Sequence, residues 1–218
     1  MNSDDLAPDG GVIRLFPLPN VVLFPGAMLP LHIFEPRYRQ MTADALAGDR
    51  LIAMVLPLPG WEQDYAGKPA IHSVACVGRM VAEQRLADGR YNILLRGLQR
   101  VHITAEVPEP KAYRVAQFHA LEEIVAQPAV EVLCREEMRR RAPEWFHGQA
   151  EVRERFLELI DGGISLSGLA DLIAFTLPLD IEFKQTLLEE LDVSRRLDRL
   201  LQQLRMMRRS FPPDFSPN

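Results

Sequence analysis

Residues 74–96 read VACVGRMVAEQRLADGRYNILLR, and this stretch decides the fold. Two runs that favour extended backbone flank Asp88-Gly89. Glycine takes positive φ without a Cβ clash, so Asp-Gly suits the tight turn that joins antiparallel strands. The reading is a hairpin: one arm from Val74 through Leu86, the return from Tyr91 through Arg96. Working outward, short apolar or alternating runs predict further strands at 12–18, 28–34, 51–56, 103–107 and 113–118. Pro108 and Pro110 separate the last two. Pro17, Pro19, Pro25, Pro30 and Pro36 crowd the first of these regions. Each removes a backbone donor, so that region cannot be regular sheet throughout. Pro36 suits the first turn of a helix, where its N–H would be unpaired anyway. That helix is expected over 36–47, with Tyr38, Met41, Ala45 and Leu46 inward. About seven short strands with little helix between them predict a small antiparallel barrel, closed or nearly so.

After Ala120 the periodicity changes from two to that of a helix. Helices are expected at Pro128–Arg141 and Gln149–Ile160, the second with Val152, Phe156, Leu159 and Ile160 on one face. Gly162-Gly163 ends it. Ser165 or Ser167 caps a helix carrying Leu169, Leu172, Ile173 and Leu177, and Pro178 stops that one. Asp180 caps the next, over 181–191. The last runs from Ser194 to Met207, with Val193, Leu197, Leu200, Leu201 and Leu204 on one stripe. The fold class is therefore α+β, an antiparallel β pseudo-barrel followed by an α-helical bundle. The division expected is a disordered tail at 1–11, the barrel at 12–122, the bundle at 123–208 and a second tail at 209–218.

Composition narrows the function. The chain has 218 residues, 47% of them hydrophobic, and carries a net charge of −5. That suffices for a core and argues against a global attraction to nucleic acid or to an acidic membrane. Lys68, Lys111 and Lys184 are the only lysines, and arginine supplies the rest of the 25 basic residues. That bias follows from genome composition as readily as from function. The N-terminal stretch is acidic and polar, unlike a secretory signal, and no apolar run approaches membrane-spanning length. The cytoplasm is the expected location. Cys76 and Cys134 form no CxxC pair and have no histidine at ligand spacing, so both read as unpaired thiols. No metal or other cofactor is expected.

Three blocks of sequence carry a family resemblance. The first is LFPLPNVVLFPG at 15–26 followed by LPLHIFEPRY at 29–38. The second is Gly78 with DGRYNILLRGL at 88–98. The third joins ADLIA at 170–174, LPLD at 177–180, Lys184, Gln185, Leu187 and Leu188, then Leu191, Asp192, Val193, Arg196 and Leu197. In this order they resemble the N-terminal substrate-binding domain of the Lon protease family, and in particular the stand-alone bacterial proteins made of that domain only. The resemblance spans residues 12 to 205. It implies a PUA-like barrel fold, a helical bundle after it, and a role in binding proteins. A full Lon protease carries an ATPase module and a Ser–Lys peptidase module after this domain. The sequence here has no GxxxxGK[ST] phosphate loop. None of its serines, Ser165 and Ser167 included, sits in the small-residue context of that family's catalytic serine. The chain is expected not to be an enzyme.

Candidate sites each have a bland counterpart. Phe34, Glu35, Arg37 and Tyr38 fall where a strand gives way to a helix, so apolar and charged groups emerge together at a barrel rim. They are expected to bind peptide, with Trp61 and Tyr65 in the 57–69 loop as aromatic anchors. The competing reading makes Phe34 and Tyr38 core, pairs Glu35 with an arginine, and packs the loop aromatics over the barrel end. Ser165 with Lys184 is the one serine–lysine pair worth naming, against a helix cap and a solvated lysine. His32, His72, His102, His119 and His147 show no metal-ligand spacing. The clusters Arg139-Arg140-Arg141 and Arg205, Arg208, Arg209 offer phosphate contacts, against ordinary charge near helix C-termini. The partners expected are unfolded or partner proteins, held in a groove between barrel and helices. Neither membrane nor nucleic acid is expected, and the oligomeric state is monomer or weak homodimer. RNA binding by a PUA-like barrel is the alternative.

Overall fold

The computed structural model describes residues 10–64, 67–108, 110–145 and 150–210. Tyr65, His147 and the tail residues 1–9 and 211–218 lie outside the described residues. The chain forms two compact units. One holds the residues up to Glu122 together with Phe175–Glu189; the other holds Glu123–Ala174 and the residues from Glu190 on.

The first unit is a sheet. Its strands are β1 (Gly11–Pro17), β2 (Met28–Ile33), β3 (Leu51–Val55), β4 (Val74–Arg85), β5 (Tyr91–Glu106) and β6 (Arg114–Ala120), with helix α1 (Pro36–Leu46) between β2 and β3. The order is β2-β5-β4-β3-β1-β6, and β6 also pairs with β5, which closes the barrel. The hairpin lies where the turn chemistry puts it, with Gly89 at φ 80°. Two features differ from expectation. The barrel is mixed, because β1 runs parallel to β3 at Leu15↔Ala53 while its other pairings are antiparallel. The route from β1 to β3 passes through β2 and α1, and a crossover of that length returns the chain in its original direction. Moreover, the strands expected at 91–96 and 103–107 are one strand. Its first half pairs with β2 and its second with β6, while β4 accompanies it from Arg85 to Val74. Register shifts at Val77/Gly78, Met80/Ala82 and Ile103/Ala105 let so long a strand bend round the barrel.

The loop before β2 explains the Phe-Pro-Gly motif. Phe24 is fully buried, Gly26 has φ 78°, and the backbone of Gly26 and Ala27 clamps Gly97 by hydrogen bonds of 2.9 Å on both sides. A Cβ on Gly97 would lie 2.1 Å from the Phe24 carbonyl oxygen, so only glycine permits this approach. Ile13, Leu15, Ala53, Val55, Val77 and Val101 fill the barrel. Helix α5 (Ile181–Glu189) belongs to this unit as well. Asp180 caps it, accepting from Phe183 N at 3.1 Å. Gln185 then donates to the Val74 carbonyl at 3.0 Å, and Arg100 Nε donates to the Leu188 carbonyl at 2.9 Å.

The second unit is helical: α2 (Pro128–Trp145), α3 (Ala150–Asp161), α4 (Leu166–Thr176) and α6 (Val193–Ser210). The stripe Val193, Leu197, Leu200, Leu201 and Leu204 is buried within the protein. Phe156 and Ile160 of α3 are buried too, but Val152 and Leu159 are exposed. Phe156 and Ile160, four apart, lie one above the other on the inner face, whereas Val152 falls in the first turn of the helix and Leu159 to the side of that face. Ser165 caps α4 by accepting from Gly168 N at 3.0 Å. Ser167 instead joins a polar cluster around Arg196. That guanidinium is fully buried, bonds to Asp171 at 3.0 Å and to Glu123 at 2.5 Å, and donates through Nε to the Glu190 carbonyl.

A basic cleft in the sheet unit

The sheet unit carries a cleft of about 300 Å³. One wall comes from the end of β1 and the start of α1. The α1 N-cap is Glu35, in extended conformation, and Pro36 occupies the first turn. The Glu35 carbonyl accepts from Tyr38 N and Arg39 N, which swings Arg37 and Tyr38 onto the cleft. Tyr38 is only 4% exposed and packs on Phe16, the ring centroids 4.4 Å apart. The Arg37 guanidinium sits 4.6 Å over the Tyr38 ring and donates through Nε to Glu35 at 3.0 Å. A cation over an aromatic face is held by the ring quadrupole, so the arginine has a defined orientation.

The facing wall is built from the segment after the Trp61–Asp64 turn and from the β5–β6 end. Leu58 N bonds to the Ala70 carbonyl at 2.8 Å, and His72 N to the Leu56 carbonyl at 2.9 Å. These bonds place Lys68 and Pro69 on the cleft. Val107 N bonds to the Val115 carbonyl, which brings in Lys111, Tyr113 and Arg114. Arg114 donates to the Pro69 carbonyl at 2.7 Å and forks onto Glu106. Asp44 receives Lys111 Nζ at 2.9 Å and the Tyr113 hydroxyl at 2.7 Å. These two donors, Lys111 first, hold the Asp44 carboxyl below its ordinary pKa. Burial, and then the bond to Asp44, pushes the Tyr113 hydroxyl up.

Of the candidate peptide-binding residues, Arg37 and Tyr38 line this cleft. Glu35 is half-buried and orients Arg37. Phe34 is 60% exposed and stacks against His32, with 6.3 Å between ring centroids, away from the lining. Trp61 is half-buried in its turn and is not part of the lining either. Sequence reasoning missed Lys68, Lys111, Tyr113 and Arg114. One signal was present: Lys68 and Lys111 are two of the chain's three lysines.

The other candidates have ordinary partners. Arg139 pairs with Asp161, Arg140 and Arg141 pair with Glu137, and Arg205 reaches Glu137 at 3.4 Å. Lys184 is not the solvated lysine expected: its ammonium donates to the Phe175 carbonyl at 2.9 Å, and burial lowers its pKa. His72 lies 3.0 Å from Glu189 and 3.4 Å from Glu182, and His102 stacks on His119. Among the described residues no three His, Cys, Asp or Glu side chains gather as metal ligands, and no helix is long and apolar enough to cross a membrane.

Comparison with known proteins agrees with this architecture. Residues 12–206 match the family described as the ATP-dependent protease La (LON) substrate-binding domain, and the chain belongs to that family. It is 28% identical over 198 residues to Lon protease 2 of Myxococcus xanthus, covering 90% of this chain and 24% of that one. It is 32% identical over 203 residues to the Lon protease of Paraburkholderia phytofirmans, again 24% of the relative. The chain thus spans about a quarter of the length of these relatives. Among solved structures, the N-terminal domain of a Mycobacterium avium complex Lon protease superposes with a TM-score of 0.71 at 18% identity, covering 89% of this chain and 98% of that one. A Lon N-terminal domain protein from Xanthomonas campestris gives 0.63 at 24% identity, over 88% and 98%. These two establish the fold.

Proposed function

We propose that this chain is a non-catalytic protein-binding module, acting in the cytoplasm on unfolded or partner proteins in quality control. The observation that carries the reading is the cleft itself: in a chain of the substrate-binding family, it combines apolar walls with oriented cations. Tyr38, Pro17 and Pro57 give buried, rigid surface, and Arg37 stands ready-positioned beside them. Exposed Phe34 and half-buried Trp61 extend the surface beyond the cleft. Each apolar side chain a client buries there contributes roughly 1.5–3 kcal/mol before association costs. Affinity for any one segment is therefore modest, and many segments qualify.

The test is fluorescence anisotropy with a labelled, reduced and alkylated model protein. Saturable binding that the same protein in its folded form does not compete for is the expected result. Absence of saturable binding to any unfolded chain overturns the reading. A single-stranded RNA oligonucleotide at low salt serves as the rival probe, since a salt-steep shift marks phosphate contacts. The carboxylates paired with Arg139, Arg140 and Arg141 weigh for protein rather than RNA.

A further inference from the structure

The cleft has a charge pattern that the family's binding role does not specify. Its lining holds four cations, Arg37, Lys68, Lys111 and Arg114, against one acid, Glu106. The protein as a whole is acidic, with net charge −5. Three of the cations are answered: Arg37 by Glu35, Lys111 by Asp44 and Arg114 by Glu106. Lys68 is exposed and makes no ion pair among the described residues. Its own backbone N–H is tied at 3.1 Å to Asp64, so the residue is anchored while its ammonium is left over. Around it, Pro17, Pro57 and Tyr38 supply buried apolar wall. A volume of 300 Å³ is at the small end for a ligand site and admits one or two side chains, not a folded surface.

From this we propose that the cleft is a carboxylate pocket: it takes a client segment through an acidic group set beside an apolar residue, with Lys68 as the counter-charge. The inference rests on the protein-binding reading and names its substrate class. A free chain terminus and an Asp or Glu side chain share this chemistry. Arg37, Lys111 and Arg114 are each balanced by a carboxylate, so the counter-charge for an incoming acid is that of Lys68. A peptide presenting an amide in the same place leaves Lys68 solvated and gains only the apolar contact.

The experiment uses four fluorescein-labelled ten-residue peptides sharing one Leu-Pro-Phe core. One ends in a free carboxylate, one is amidated, one is amidated with an internal Glu, and one is amidated with Gln in its place. Titration of the full chain at low salt is expected to favour the carboxylate forms about fivefold over their neutral counterparts. Whether the terminal or the internal carboxylate gains more identifies the source. Lys68→Gln is expected to bring the carboxylate peptides down to the affinity of their neutral counterparts, with the thermal midpoint unchanged. Equal affinity for carboxylate and amide forms, a preference that survives Lys68→Gln, or no binding of any peptide overturns the proposal. The unfolded-protein titration separates that failure from failure of the underlying reading: if unfolded protein still binds saturably, only the carboxylate specificity falls.

Discussion

In the sheet unit, β5 spends its length in backbone pairing, to β4 on one side and to β2 and then β6 on the other. In the helical unit, α6 is tied in by a side chain: Arg196, fully buried, bonded to Asp171 at 1% exposure. The two units also differ at the surface. Ile124, Val125, Val132, Leu133, Val152, Leu159 and Met206 of the helical unit are exposed, Val125 at 80%, while the sheet unit's exposed apolar residues are fewer and scattered. A closed ladder specifies geometry through groups every residue carries, so most side chains in it are replaceable but its glycines are not. A buried ion cluster specifies geometry through a few side chains, and losing one leaves its partner charged and unsolvated.

Arg196→Ala strands Asp171 and is expected to destabilise the helical unit by about 3–5 kcal/mol, read as a fall in the urea midpoint. Replacing both partners, Arg196→Met with Asp171→Leu, is expected to recover most of that loss, because the desolvation cost disappears with the charges. A single variant costing less than about 1 kcal/mol would show that packing, not the cluster, holds this unit.

The counterpart in the sheet unit is Gly97→Ala. The added methyl meets the Phe24 carbonyl at 2.1 Å, backbone that other hydrogen bonds hold in place. Overpacking of this kind costs about 1–3 kcal/mol. The variant is expected to lower the urea midpoint by that amount with β-sheet circular dichroism retained. A neutral Gly97→Ala would mean that the loop at Phe24 yields, and that the barrel is softer than its ladder implies.

These two sites also mark what sequence could and could not carry. The hairpin was legible because turn chemistry is local: Asp88-Gly89 needs no partner to be recognised. The cap at Asp180 and the α6 stripe were legible for the same reason, each a pattern within one element. The parallel β1–β3 joint was not, since strand direction depends on where a chain returns after a crossover. The strands expected at 91–96 and 103–107 are one strand, and what Gly97 does within it, the close approach of Phe24, is a contact between segments far apart in sequence. The helix 181–189 was recognised as a helix but grouped with the bundle by chain order, whereas Gln185 and Leu188 bond to Val74 and Arg100 of the sheet unit. The cleft shows the same limit. Arg37 and Tyr38 sat in a motif, while Lys68, Lys111 and Arg114 lie in unremarkable loop and strand sequence and meet only on folding.

Smaller effects are expected at the surface. Phe34 is solvated, so Phe34→Ser is expected to change stability by no more than about 0.5 kcal/mol. If the rim beyond the cleft takes part in client binding, the same substitution weakens anisotropy-measured affinity for unfolded protein roughly threefold to tenfold. Unchanged affinity would confine binding to the cleft.

The remaining effect is electrostatic, and it sets one carboxylate from each unit against the other. Glu137 of α2 is lowered from 4.5 to about 2, first by its bond to Arg140 and then by Arg141. Asp44 beside the cleft is lowered by Lys111 and Tyr113. A depressed folded pKa means the unfolded chain binds the proton more readily. The stability each group adds is therefore complete above its unfolded pKa and is lost as pH falls through the folded one. Between pH 5 and about 2, Glu137→Gln should flatten the acid fall in thermal midpoint, and wild type and variant should converge at the acid end. Glu137 meets its arginines at the surface, so the difference stays within about 1 kcal/mol and shrinks in high salt. Asp44→Asn should flatten the same limb, but with weaker salt dependence, because the hydroxyl of buried Tyr113, beside the Lys111 ammonium, supplies part of the bond. Equal salt sensitivity in the two variants would mean that the Asp44 cluster is as solvated as the helix surface, and would remove the contrast between the rigid wall of the cleft and the charged face of the helices.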